Sequence, residues 1–157
     1  MAIIDKPTDY FDTKLYTGNG GTQSITGLDF QPDWVWIKDR DGTYKHLLVD
    51  SVRGATKHLS SSSAAVEVTN TANVTSFTSD GFALSSDGNV NANADKYVSW
   101  NWKANGSGSS NTAGSINSTV SVSTTSGFSI VKYTGTGSNA TVGHGLGSVP
   151  KMIIVKD

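Results

Sequence analysis

Residues 34–38, WVWIK, decide the fold because they are apolar on both alternating faces of an extended chain. Successive side chains of a β-strand point to opposite faces of its sheet, so such a strand is expected at the centre of a sheet or at an interface. A turn-like tetrad follows at residues 39–42, DRDG, and residues 44–49 form the expected antiparallel partner. The sequence therefore predicts a hairpin whose first strand is buried on both sides.

A second clear strand is predicted over residues 96–103, KYVSWNWK. Its two faces differ in polarity, which is typical of a half-buried strand. Val98, Trp100 and Trp102 fall on one face, and Tyr97, Ser99 and Asn101 on the other.

Shorter strand-like runs are separated by turns rich in Gly, Asn and Asp, and the GNGG turn at residues 18–21 predicts a hairpin. No stretch has the apolar period of an amphipathic helix. Roughly eight to ten short strands at this spacing predict an all-β chain, with an antiparallel β-sandwich or jelly-roll-like domain. The short runs are residues 14–17, 22–26, 66–68, 74–77, 82–84, 116–122 and 128–133.

Composition and charge exclude several classes of function. The net charge is −1, so no long-range field favours nucleic acid or an anionic membrane as partner. The chain has no cysteine, which excludes disulfides and zinc–thiolate sites. Residues 1–7, MAIIDKP, place Asp5 too early for the apolar core of a signal peptide, so no secretory signal is expected.

The chain repeats itself at a distance of about 117 residues. Aligning residues 16–39 with residues 133–157, with one inserted residue, gives nine identical pairs out of 24. A repeat of this length is a domain in itself. We expect an N-terminal arm at 1–12, a first β-sandwich repeat at 13–104, a Ser/Gly/Asn-rich linker or long loop at 105–115, and the first strands of a second, similar domain at 116–157. The strand at 116–122 is assignable to either copy, and the chain is expected to continue, or to be completed by a neighbouring subunit.

Few residues offer catalytic chemistry. His46 and Asp50 lie four apart on a predicted strand, about 13 Å from each other, which is too far for a direct hydrogen bond. His58 follows a loop, and His144 lies in a glycine-rich turn. The nucleophile, zinc-helix and phosphate-loop motifs are missing from the sequence. We expect no enzymatic activity and no catalytic residue.

Calcium is the one cofactor that the sequence leaves open. The carboxylates of Asp39 and Asp41 give the tetrad at residues 39–42 the oxygen-rich composition of a calcium loop. However, the chain returns to a strand directly after Gly42, which is typical of a hairpin turn. A calcium site would need a distant carboxylate such as Asp33 or Asp80 nearby.

The four tryptophans occur as two pairs, Trp34 with Trp36 and Trp100 with Trp102, each on one face of a predicted strand. Such pairs favour a core or a subunit interface. The alternative is a platform for sugar rings, since an apolar pyranose face stacks on an aromatic one. Tyr10 and Phe11 in the arm are further contact candidates.

Four segments together resemble a repeat module of virion appendage and tail-fibre-like proteins of marine tailed phages. They are residues 16–20 (YTGNG), 30–38 (FQPDWVWIK), 50–56 (DSVRGAT) and 100–104 (WNWKA). Residues 144–150 (HGLGSVP) and 152–156 (MIIVK) resemble the start of the module's second copy.

The resemblance implies a structural protein, made in the host cytoplasm and found in the virion. We expect the N-terminal anchoring part of a tail fibre, adaptor or surface appendage with a role in host attachment. Its expected partners are other virion proteins and copies of itself, with a trimer among the options, and a host glycan in the alternative reading.

Overall fold

The computed structural model describes residues 4–157. Because most strands are short and bounded by glycine or asparagine turns, the chain forms twelve strands and one short helix within these residues. The strands are β1 Phe11–Thr17, β2 Gln23–Ile25, β3 Trp34–Asp39, β4 Leu47–Asp50, β5 Lys57–Ser60, β6 Val68–Thr69, β7 Val74–Thr78, β8 Gly81–Leu84, β9 Lys96–Trp102, β10 Ser109–Asn111, β11 Ser118–Ser123 and β12 Phe128–Tyr133, with α1 at Gly88–Asn91 and a 3-10 turn at Pro7–Asp9.

The strands form three antiparallel sheets. The large sheet has the order β1-β9-β3-β4-β5-β6, the second β2-β8-β7 and the third β10-β11-β12. The predicted all-β, sandwich-like fold is therefore confirmed. The two clearest sequence strands, β3 and β9, are neighbours inside the large sheet.

One face of the large sheet forms the core against the second sheet. Val35 and Ile37 of β3 are fully buried, because their face packs on apolar side chains of β2, β7 and β8. The core cluster consists of Ile25, Val35, Ile37, Leu47, Val49, Val74, Phe82, Leu84, Val90 and Tyr97.

Two stacked tyrosines attach α1 to this core. The rings of Tyr16 and Tyr97 lie 5.2 Å apart and nearly parallel. The Tyr16 hydroxyl donates to the Val90 carbonyl at 2.8 Å, and the Tyr97 hydroxyl donates to the Gly88 carbonyl at 2.6 Å. Burial raises the pKa of Tyr97 to about 12. Both hydroxyls therefore act as neutral donors at ordinary pH.

The hairpin predicted at residues 18–21 is wrong. β1 pairs with β9 in the large sheet and β2 pairs with β8 in the second, so the turn crosses between sheets. Gly18 is enclosed there: a β-carbon would lie 2.1 Å from the Ala92 carbonyl oxygen. Gly18 therefore allows this crossing to pack closely against the residues that follow α1.

Three predicted boundaries also change. The strand predicted at 44–49 begins only at Leu47. The predicted linker contains β10, whose residues 109–111 pair with β11. The predicted arm at 1–12 ends in β1, because Phe11 and Asp12 already pair with β9, and its residues 1–3 lie outside the described part.

Residues 152–157, which align with the predicted strand at residues 34–38 and Asp39, form no strand within this chain. These residues are irregular, and the side chains of Met152, Ile153, Ile154 and Val155 are exposed. In the first repeat copy the matching strand, β3, lies between β4 and β9. Residues 152–157 have no such neighbours among the described residues, and a strand without partners leaves its backbone donors unpaired.

We predict that Tyr97→Phe lowers the free energy of unfolding by about 1–3 kcal/mol, because the Gly88 carbonyl and the Ala92 N–H both lose their partner. Urea denaturation measures this. Tyr133→Phe is the matched control, since Tyr133 is the repeat counterpart of Tyr16 and is exposed. Equal effects of the two substitutions would contradict the assignment.

Candidate functional site: an aromatic face on the large sheet

The four tryptophans lie together on the face of the large sheet that points away from the core. The register of β3 against β9 sets Trp34 opposite Trp102 and Trp36 opposite Trp100. The ring centroids of Trp34 and Trp102 are 4.5 Å apart, and those of Trp36 and Trp100 are 6.0 Å apart. All four rings are half-buried. We call this cluster, with Phe11 and Phe128, the aromatic face.

Two phenylalanines cover the Trp34–Trp102 end of the aromatic face. Phe128 of β12 stacks on Trp34 at 5.7 Å and on Trp102 at 6.1 Å, with ring planes close to parallel. Phe11 of β1 lies 4.8 Å from Trp102 on its other side. Phe128 thereby packs the third sheet on the large sheet. At this end of the aromatic face the rings cover one another's surfaces.

The other end of the aromatic face, at Trp36 and Trp100, carries a polar group. Trp36 donates its indole N–H to Nδ1 of His46 at 2.9 Å. Burial lowers the pKa of His46 below its ordinary value, and the neighbouring Lys38 ammonium lowers it further. The neutral imidazole is the form that can accept the indole proton.

The structure brings five of the six sequence candidates together. Phe11 joins the four tryptophans on the aromatic face. Tyr10 lies apart from them: Nζ of Lys103 sits 5.7 Å from the Tyr10 ring centroid, and the Lys103 N–H donates to the Tyr10 carbonyl. Sequence reasoning missed Phe128. Its signal was present, because Phe128 is the repeat counterpart of Phe11.

The aspartates proposed for calcium are used in the turn between β3 and β4. Asp39 accepts the Asp41 N–H at 2.8 Å, and Asp41 accepts the Lys96 N–H at 3.0 Å. Asp33 lies elsewhere, accepting the Ala104 N–H, and Asp80 is in the β7–β8 turn. Across residues 4–157 the structure assembles no group of three or more histidine, aspartate or glutamate side chains that could hold a metal ion.

The remaining titratable candidates, Asp50, His58 and His144, lie in strands or turns. The Asp50 carboxylate binds the Arg53 guanidinium at 2.6 Å rather than His46. His58 lies in β5, where burial lowers the pKa of its imidazole. His144 accepts the Leu146 N–H within its turn, and it is the one titratable residue lining an open depression between Ala113 and Pro150.

Fold and site together define the class of this protein: an all-β, sandwich-like module with an aromatic sheet face. Its helical segments, as far as the structure describes them, fall short of the length and apolar character needed to cross a membrane. The sequence model of one family, described as Domain of unknown function (DUF7483), matches residues 6–157. The chain belongs to that family. No curated protein and no solved structure matches it.

We predict that stability falls as the pH drops below about 6.5, the ordinary histidine value, because the unfolded chain takes up protons that the folded His46 and His58 resist. Their contribution is fully present above that pH and is lost as the pH falls towards their lowered folded values. Urea denaturation at about pH 7.5 and about pH 5 measures it.

His46→Gln isolates the share of His46, since a glutamine carbonyl can still accept the Trp36 indole proton but does not titrate. The variant keeps the pH-dependent contribution of His58 to the free energy of unfolding. It should therefore lose less stability on acidification than the unmodified chain. Identical losses in both proteins would show that His46 is not shielded as described.

Proposed function

We propose that the chain is a non-enzymatic structural module of a tailed-phage virion, in the N-terminal anchoring part of a tail fibre, adaptor or surface appendage. It acts by packing its β-sheets against neighbouring subunits, both copies of itself and other virion proteins. The observation that carries the proposal is the aromatic face. It is an apolar surface on a sheet whose opposite face is already buried in the core.

The geometry of the rings favours packing over chemistry. Aromatic side chains dominate the energetics of protein interfaces because they bury large areas at low conformational cost. Beside the aromatic face, β1 is an edge strand of the large sheet. Its Leu15 is 65% exposed and Phe11 is 38% exposed, so the apolar surface continues to an edge that another strand or subunit can cover.

The virion assignment is supported by the resemblance of residues 16–20, 30–38, 50–56 and 100–104 to the phage appendage module. A fibre or adaptor segment needs stable sheets and contact surfaces rather than a reaction centre. A module that packs through one sheet face and one edge meets that need.

A second candidate is binding of a host glycan at the Trp36–Trp100 end of the aromatic face. The observation that favours it is the half-buried pair Trp36 and Trp100 beside the polar His46. A sugar ring needs one free aromatic face and polar groups at its rim. The Trp34–Trp102 end is less suited, since Phe11 and Phe128 already stack there.

For the packing function, we predict that Leu15→Lys reduces concentration-dependent self-association in sedimentation velocity without lowering the melting temperature, because Leu15 is exposed beside the aromatic face. Val66→Lys is the matched control, since Val66 is 76% exposed in the loop before β6, which is the opposite edge strand of the large sheet from β1. A chain that stays monomeric at high concentration, or equal effects of both variants, would contradict packing through this surface.

Trp102→Ala separates packing from glycan binding. Trp102 contacts Phe11, Trp34 and Phe128, so packing predicts a loss of roughly 2–4 kcal/mol in the free energy of unfolding, larger than for Trp100→Ala. Glycan binding predicts instead that a glycan titration quenches tryptophan fluorescence and that Trp100→Ala abolishes the quenching with the fold retained. Quenching by glycan in the natural chain would move the assignment to the second candidate.

A further inference from the structure

The last residues of the chain form an exposed apolar segment. Ile153 is 73% exposed and Val155 is 70% exposed, and their neighbours are similarly open. Soluble proteins rarely leave a contiguous apolar run in water unless it marks an interaction site. We call residues 149–157 the terminal segment.

The internal repeat shows what the terminal segment corresponds to. Met152 to Asp157 align with β3, so Ile153 takes the place of Val35 and Val155 takes the place of Ile37. Val35 and Ile37 are fully buried in the first copy. The same alignment, extended backwards without a gap, pairs β12 with β1 and Phe128 with Phe11.

Two features of the structure are compatible with this alignment. Phe11 and Phe128 both pack on Trp102, from β1 and from β12 respectively. β12 is an edge strand of the third sheet, as β1 is of the large sheet. β12 thus has an edge position like that of β1, whereas residues 152–157, the β3 equivalent, have no sheet around them within residues 4–157.

The first copy shows which elements surround a strand in this position. β3 is flanked by β4 and β9, and β1 is paired with β9. The core face of β3 is covered by Phe82 and Leu84 of β8 and by Val74 of β7. The strands that surround β1 and β3, namely β4, β7, β8 and β9, all lie within residues 40–104. Their counterparts would pair with the free edge of β12 and cover the apolar side chains of the terminal segment.

We propose that β12 and the terminal segment are a docking surface for a second copy of the module's 40–104 part, which closes a second sandwich on them. The occupant is a β-rich polypeptide with the strand pattern of β4, β7, β8 and β9. It binds by adding a β9-like strand between β12 and the terminal segment. This inference names a partner of the module, and it rests on the proposed function as a structural module that packs against copies of itself.

Two further observations favour this occupant. The family model matches residues 6–157, a range that includes the terminal segment. The end of the segment, Lys156-Asp157, repeats the Lys38-Asp39 that ends β3 at the turn into β4. The segment therefore carries the strand-end signal of a β3 equivalent as well as its apolar residues.

The experiment appends a copy of the 40–104 part to residues 1–157. Because Asp157 aligns with Asp39, a copy of residues 40–104 is fused directly after residue 157. Hydrogen exchange of residues 149–157 is followed by mass spectrometry in the natural and the extended chain. We expect unprotected exchange in the natural chain and slowing by at least about 100-fold in the extended chain.

Two controls separate docking from mere attachment. Val49→Asp with Phe82→Asp in the appended copy places charges in the new core, and Ile153→Asp with Val155→Asp removes the apolar residues of the terminal segment; each should abolish the protection. Equal exchange in the natural and extended chains, or protection that survives either control, would overturn the inference. Such a failure leaves the proposed packing role standing if Leu15→Lys still weakens self-association.

Discussion

The register of β3 against β9 is the constraint on which the rest of the structure depends. It sets Trp34 opposite Trp102 and Val35 opposite Asn101, so one face of both strands is aromatic and the other lies in the core. Side chains alternate at every residue, so a slip by one position would turn the tryptophans into the sandwich and the small core residues outward. The space that Val35 and Ile37 fill could not accept indole rings without large rearrangement.

The same register links the sheets to the proposed role. The core face closes the sandwich, which leaves the aromatic face free to hold something else. Within the chain, the third sheet packs on the aromatic face, because Phe128 stacks on Trp34 and Trp102. The module thus already uses its aromatic face to pack one β-sheet on another. We propose that assembly with neighbouring subunits extends the same kind of contact along β1.

Sequence reasoning predicted the parts governed by local alternation. The strands around Trp34 and Trp100 and the all-β class followed from period-two patterns and turn residues. The strands' partners did not follow. The turn at residues 18–21 has hairpin composition, yet Gly18 is in close contact with Ala92, some 74 residues away in sequence. Residues 152–157 have strand composition, yet a strand also needs neighbours, and no local pattern reports whether these are present.

The register of β3 against β9 can be measured directly by disulfide formation between introduced cysteines, because the chain has no cysteine of its own. Lys38 lies opposite Val98 on the face that carries the tryptophans, and Ser99 is one residue further on, on the core face. The account predicts that Lys38→Cys with Val98→Cys forms a disulfide under mild oxidation, blocking thiol labelling, whereas Lys38→Cys with Ser99→Cys does not. A disulfide in the second pair and none in the first would contradict it.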